Sequence, residues 1–164
     1  VRESPVRREA VLLLGSNFGR RVRQLRGAVD RLSAEADLLS VSRMYATEPS
    51  GRVHQPWFLN LAVRMATSRS PWDLLRLAKR LEGDAGRRGG VRWGPRRLDV
   101  DIILLGDIVV SEPGLYIPHP LMAQRRFCLV PVVEVAGAMA VPPGGRTVSQ
   151  LLSSCEDNLE VIPL

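Results

Sequence analysis

The sequence predicts an α+β fold in which one antiparallel sheet packs against helices. The first observation behind this is order. Apolar runs that read as strands and stretches of helical spacing succeed one another as strand, helix, strand, strand, helix, strand. The second is size. A chain of 164 residues, 45% apolar and 24% charged, suits one domain with a single sizeable core. The third is that no apolar run approaches the length of a membrane span.

Each element has its own signal. Val11-Leu12-Leu13-Leu14 ends at the turn cluster Gly15-Ser16-Asn17 and reads as a buried first strand. Val22, Leu25, Ala28, Val29 and Leu32 recur at helical spacing and predict an amphipathic helix over 21–36. Residues 38–45 alternate as a strand does, and 46–57, with Pro49, Gly51 and Pro56, make a long loop before a strand over 58–67. Ser70-Pro71-Trp72-Asp73 is a helix start, with Leu74, Leu75, Ala78, Leu81 and Ala85 as the buried face. Gly83 weakens that helix, and Gly86, Gly89 and Gly90 end it in a glycine- and arginine-rich loop. A strand over 98–105 turns at Gly106-Asp107 into a short partner over 108–111. Residues 115–120 are extended around two prolines, 125–135 form a short helix interrupted by Pro131, and 147–155 form a last short helix. This is the ferredoxin-like βαββαβ plan, expected as a single domain over 10–164 behind a flexible tail over 1–9.

The net charge of +6 favours anionic partners, whether nucleic acid, phosphorylated metabolites or an anionic membrane. The excess is arginine, Lys79 being the one lysine, and no segment reads as a basic amphipathic membrane helix. Cys128 and Cys155 form no Cys-x-x-Cys pair, and His54 and His119 are the only histidines, which excludes a multi-histidine zinc site. A reducing cytoplasm is the expected compartment. The charged residues before Val11 have no apolar stretch and do not read as a secretory signal. The first residue is Val, as in a piece of a longer polypeptide.

Chemistry concentrates in Arg92-Trp93-Gly94-Pro95-Arg96-Arg97-Leu98-Asp99-Val100-Asp101. Side chains alternate along a strand, so Asp99 and Asp101 share a face, about 6–7 Å apart. Hard cations such as Mg²⁺ take oxygen ligands and pair one or two carboxylates with substrate phosphates. Guanidinium groups suit phosphate oxygens. The bland reading is two solvated acids at a strand end beside an ordinary surface ion pair. Three further segments bear on the choice. Gly15-Ser16-Asn17-Phe18-Gly19 lacks the spacing of a P-loop and reads as a plain strand-to-helix turn, with Asn and Gly in unusual backbone angles. Thr47, Trp57, Phe58 and Asn60 combine rings and amides that suit a flat heterocycle, or simply a core beside a turn. His119, fixed between two prolines and followed by Arg125, Arg126 and Phe127, reads as a phosphate contact or a structural histidine.

Taken in order, Leu14-Gly15-Ser16-Asn17, Thr47-Glu48-Pro49, Phe58-Leu59-Asn60, Glu82 ahead of Gly86-Arg87, Arg92-Trp93-Gly94-Pro95-Arg96 with Asp99 and Asp101, and Pro118-His119-Pro120 with Arg125 and Phe127 resemble the 6-hydroxymethyl-7,8-dihydropterin pyrophosphokinase family. The resemblance runs from the first strand to Pro131. It implies transfer of the pyrophosphoryl unit of ATP to a dihydropterin hydroxymethyl group, with release of AMP. It also implies two Mg²⁺ ions between Asp99, Asp101 and the triphosphate. Arg87 and Arg96 would join the aspartates in catalysis. Glu82, Trp93, Ile102, His119 and Arg125 would lie on the ATP side, and Thr47, Phe58, Asn60 and Phe127 would hold the pterin. The arginines are expected to grip ATP rather than the aspartates. No general base is evident. The expected partners are small molecules, without nucleic acid or membrane, and with association or fusion to another folate-pathway enzyme open.

The chain departs from the family's pattern at Arg20, at Lys79 and in a slightly short 87–92 loop, where Arg88 and Arg92 are both candidates for the second phosphate contact. Two other classes stay in view. An RNA-binding module on the same plan would explain the charge but needs exposed sheet aromatics, and aromatics are only 5%. Acylphosphatase-like hydrolysis would need no metal.

Overall fold

The computed structural model describes residues 4–51, 54–86 and 96–164. Its centre is β1 (Arg8–Ser16), a strand so apolar that it is buried on both faces. Arg8 and Glu9, in the expected tail, already pair with Thr67 and Ala66. On one side β1 pairs antiparallel with β4 (Phe58–Thr67), and on the other with β5 (Asp99–Leu105). Both β2 (Asp37–Val41) and β3 (Tyr45–Thr47) pair with β4. A C-terminal strand, β10 (Val161–Pro163), extends the sheet beyond β3. The described order is β10-β3-β4-β1-β5, all antiparallel.

Alternation splits the core into two layers. Ala10, Leu12 and Leu14 of β1, with Leu59, Leu61, Val63 and Met65 of β4, face α1 (Arg21–Glu35) and α2 (Pro71–Asp84). Val11 and Leu13, with Ala62 and Ile103, face α3 (Arg126–Ala136) and α4 (Val148–Ser153). Each fully buried Leu or Val here contributes about 1.5–3 kcal/mol relative to exposure. Helix α2 starts as its sequence dictates. The Ser70 hydroxyl accepts from the Asp73 amide at 3.2 Å, and Pro71 occupies the first turn. Such a cap contributes about 1 kcal/mol. No helix among the described residues is long and apolar enough to cross a membrane.

Several elements differ from expectation. The strand expected over 38–45 is two strands, because at Ser42 the hydroxyl rather than the backbone carbonyl accepts from the Ala62 amide, at 2.8 Å, while the Ser42 amide still donates to the Ala62 carbonyl at 2.9 Å. The helix expected to break at Pro131 runs unbroken. The apolar row Cys128, Leu129, Val132 and Val135, buried against the sheet, outweighs the one backbone bond that proline removes. The segment after Gly106 does not fold back on β5. Instead β6 (Val110–Glu112) pairs with β7 (Leu115–Ile117). A short hairpin, β8 (Ala140–Val141) with β9 (Arg146–Thr147), precedes α4. Both this hairpin and β10 are too short to announce themselves by alternation.

Candidate active site

The ends of β1, β4 and β5 meet in one row. Gly15 stands opposite Asn60 on one side and Asp99 on the other, and one step inward Leu13 stands opposite Asp101. All five lie on the α3 face, where the apolar row ends and polar residues begin. A cavity of about 270 Å³ opens above them. Its floor is Leu13, Gly15, Asn60, Asp99 and Asp101, and its walls are Thr47, Glu48, Pro49, Ser50, Gln55 and Phe58 on one side and Arg125 and Phe127 on the other. Lys79, Glu82 and Arg96 close the end nearest β5.

Gly15 reads differently in place than in sequence. It is regular strand, and the positive φ of the turn belongs to Gly19 at 71°. What Gly15 supplies is space, since a Cβ there would run into the Asn60 side-chain oxygen. The Asn60 amide is fixed from behind by donating from Nδ2 to Thr47 Oγ1 at 2.7 Å, with both residues buried. Its Oδ1 is therefore presented over Gly15 as an acceptor.

Asn17, which in sequence reads as part of a plain turn, shapes the rim of the cavity. It is 2% exposed. Its Oδ1 accepts from the Arg96 amide at 2.7 Å, and its own amide donates to the Arg96 carbonyl at 3.0 Å. Its Nδ2 donates to Gln55 Oε1 at 2.9 Å and to the Pro56 carbonyl at 3.3 Å. One buried amide thus ties the two long loops together at the cavity rim. The signal is a small polar residue placed directly after a buried strand, where the chain turns.

The acids are placed by the sheet. Glu82, at the end of α2 and 3% exposed, accepts from the Val100 amide at 3.0 Å and lies 3.5 Å from Lys79 Nζ. It locks α2 to β5 between the two aspartates. A bulge in the β1–β5 pairing leaves Ile103 without a β1 partner, and the Ile103 carbonyl accepts from the His119 amide at 3.0 Å. Arg96 Nη1 lies 3.6 Å from Asp99 Oδ1. This arginine therefore meets an aspartate, as in the ordinary ion pair of the bland reading. A part-exposed pair of this kind is weak and easily exchanged.

Of the expected site residues, Thr47, Phe58, Asn60, Glu82, Arg96, Asp99, Asp101, Arg125 and Phe127 line the one cavity. Ile102 turns its side chain into the α1–α2 core, so only its backbone faces away from that layer. His119 lies beyond the lining. Its Nδ1 accepts from the Leu121 amide at 3.2 Å, which leaves Nε2 to carry the proton. Burial, then the Arg125 charge, hold its pKa below the ordinary 6.5. The Arg125 guanidinium sits 5.7 Å from the centre of the Phe127 ring. Behind the aspartates, burial pushes the Cys128 thiol far up, so it stays protonated and is no nucleophile. Arg87 and Trp93, with Arg88 and Arg92, lie outside the described residues.

No group of three or more His, Cys, Asp or Glu able to hold a metal occurs among the described residues. Two carboxylates on one strand face fit a hard cation whose other ligands come from a phosphate substrate and water. They do not fit a self-sufficient structural zinc site.

Comparison with known proteins is consistent along the chain. The family model described as 7,8-dihydro-6-hydroxymethylpterin-pyrophosphokinase matches residues 11–137. The 2-amino-4-hydroxy-6-hydroxymethyldihydropteridine pyrophosphokinase of Methylorubrum extorquens is 38% identical over 149 residues, covering 90% of this chain and 93% of that protein. The mitochondrial folate synthesis bifunctional protein of Arabidopsis thaliana is 38% identical over 151 residues, which are 84% of this chain but 27% of that protein. In fold, the chain resembles the crystal structure of wild-type Plasmodium falciparum HPPK-DHPS with pteroate, with a TM-score of 0.71 at 15% identity. That match covers 93% of this chain and 43% of the other, so the chain spans under half of that longer protein.

Proposed function

Since the chain belongs to the 7,8-dihydro-6-hydroxymethylpterin-pyrophosphokinase family, we propose that this cavity is where it moves pyrophosphate from ATP onto 6-hydroxymethyl-7,8-dihydropterin. The chain is a folate-biosynthesis transferase and an ATP-dependent pyrophosphokinase. The observation that carries the site reading is the row Asn60-Gly15-Asp99, which sets a heterocycle-sized acceptor pocket one strand away from the carboxylates.

The residues divide the work. The ring nitrogens and amino group of a pterin offer donors, which Asn60 Oδ1 and the Thr47 backbone accept, while Phe58 and Phe127 flank the ring. Arg96 and Arg125 draw the triphosphate to the β5 end, where Arg96 exchanges its weak pairing with Asp99 for phosphate oxygens. The hydroxymethyl oxygen bonds to the β-phosphorus as the bond from that phosphorus to the oxygen of AMP breaks, and the hydroxyl proton is released to water. Such a transfer needs in-line placement and charge neutralisation more than covalent help. Asp99 and Asp101 are the residues that would hold Mg²⁺, read as two ions, which would neutralise phosphate charge. Glu82 keeps β5 in place beneath them, and His119, Arg87 and Trp93 are assigned to the nucleotide side.

The catalytic unit is read as a ferredoxin-like core that begins at Arg8, two residues earlier than the expected 10–164, with the residues before it as a tail. The compartment is read as a reducing cytoplasm, consistent with the unpaired thiols of Cys128 and Cys155. The bifunctional Arabidopsis relative supports fusion or association with a second folate enzyme. The test is AMP release from ATP and Mg²⁺, which should require the dihydropterin and stop with EDTA. AMP formation indifferent to both would overturn the assignment.

A further inference from the structure

The family match ends at residue 137, yet the segment after α4 returns to the cavity and bonds to both of its walls. One wall begins α3. That helix has no side-chain cap of its own at Arg125. Instead the Arg126 amide, which lies between cavity residues Arg125 and Phe127, donates to Asp157 Oδ2 at 2.9 Å. The other oxygen, Asp157 Oδ1, accepts from the Leu159 amide at 3.0 Å and holds the segment in shape. The opposite wall carries Thr47 and Glu48. The Glu48 amide donates to the Glu160 carbonyl at 3.0 Å, and the Glu160 amide donates to Glu48 Oε2 at 3.1 Å. Directly beyond, Val161 of β10 pairs with Thr47.

We propose that residues 157–161 form a brace that sets the width of the pterin end of the cavity, with Asp157 as its positioning residue. Asp157 touches no substrate in this account. It fixes the origin of α3, and hence Phe127, relative to Thr47 of β3. A carboxylate suits the task twice: it satisfies an otherwise uncapped amide, and it favours the positive end of the helix. The inference rests on the pterin reading of this pocket.

The test compares wild type with Asp157→Ala and Asp157→Asn, and with Glu156→Ala as an exposed neighbour. Asp157→Ala should raise KM for the dihydropterin about tenfold, the scale of one lost structural hydrogen bond. KM for ATP should rise by less than that, because the aspartates stand on β5 and Arg96 is held by Asn17, while Arg125 shares the start of α3. Asp157→Asn, which keeps one acceptor oxygen, should fall between, and it carries the test alone if the alanine variant does not fold. A lower melting temperature with unchanged KM for the pterin would make Asp157 merely structural and overturn the proposal. Hydrogen exchange separates the brace from the function reading. Breaking Asp157 should speed exchange at 46–48 as well as at 126–129, whatever the enzyme turns over. Acceleration confined to 126–129 would sink the brace even in an active enzyme. Wild type inert towards ATP and pterin, with the coupled exchange intact, would sink the function reading and leave the brace standing.

Discussion

The two faces of the sheet are built from the same strands and differ by one residue of register. On the α1–α2 face, Ala10, Leu12 and Leu14 of β1 are apolar, their β4 neighbours are aliphatic, and the last residue, Ser16, is buried against Gln24 of α1. On the α3–α4 face, Val11 and Leu13 give way to Gly15, and the neighbours of Gly15 are Asn60 and Asp99 rather than aliphatics. The first face is a finished core. The second is a core whose last row, Asn60, Gly15 and Asp99, is polar and lines the proposed site. Stability and function are thereby assigned to opposite sides of β1, and substitutions at adjacent positions should separate them.

The sharpest separation is at Leu14. Leu14→Ala should cost about 2–5 kcal/mol of stability in a denaturant melt, with turnover per folded molecule kept at low temperature. Loss of turnover without loss of stability would erase the distinction. Arg96→Ala should do the reverse, raising the barrier by about 3 kcal/mol, or roughly a hundredfold in kcat/KM, with little change in melting temperature. Gly15→Ala probes the boundary itself. Its methyl group meets the Asn60 oxygen, so we expect about 1–3 kcal/mol of overpacking together with a raised KM for the pterin and an unchanged KM for ATP.

The smallest effect concerns pH. The His119 pKa is lowered by burial and by Arg125, so the unfolded chain takes up this proton first. Stability should be pH-independent from this source above the ordinary value of 6.5 and should fall as pH drops through it. Comparing melts of wild type and His119→Gln across that range checks the sign. A wild type that gains stability on acidification relative to the variant would contradict it.

Much of this was legible beforehand, and for definite reasons. Asp99 and Asp101 declare a shared face because strand alternation is rigid, and Ser70-Pro71-Trp72-Asp73 declares a helix start because each residue satisfies a local need. The helices' division between two faces was not legible, since a strand as uniformly apolar as β1 carries no sign of which layer each residue joins. The continuity of α3 through Pro131 was hidden because local propensity opposes it and tertiary burial decides it. Gly15 reads in sequence as a turn glycine because backbone freedom and close approach share the same letter. Asn17 and Asp157 act through partners 38 to 79 and 31 residues away, and nothing local announces such bonds.

The most direct measurement of the sidedness of β1 is made on Asp101→Ala, with thermal melting and pterin-dependent AMP release followed on the same sample. Asp101 stands opposite Leu13 at the point where the α3 face turns from core to site. Wild-type melting with AMP release lost is the predicted result. An Asp101→Ala protein that releases AMP at the wild-type rate would contradict the account.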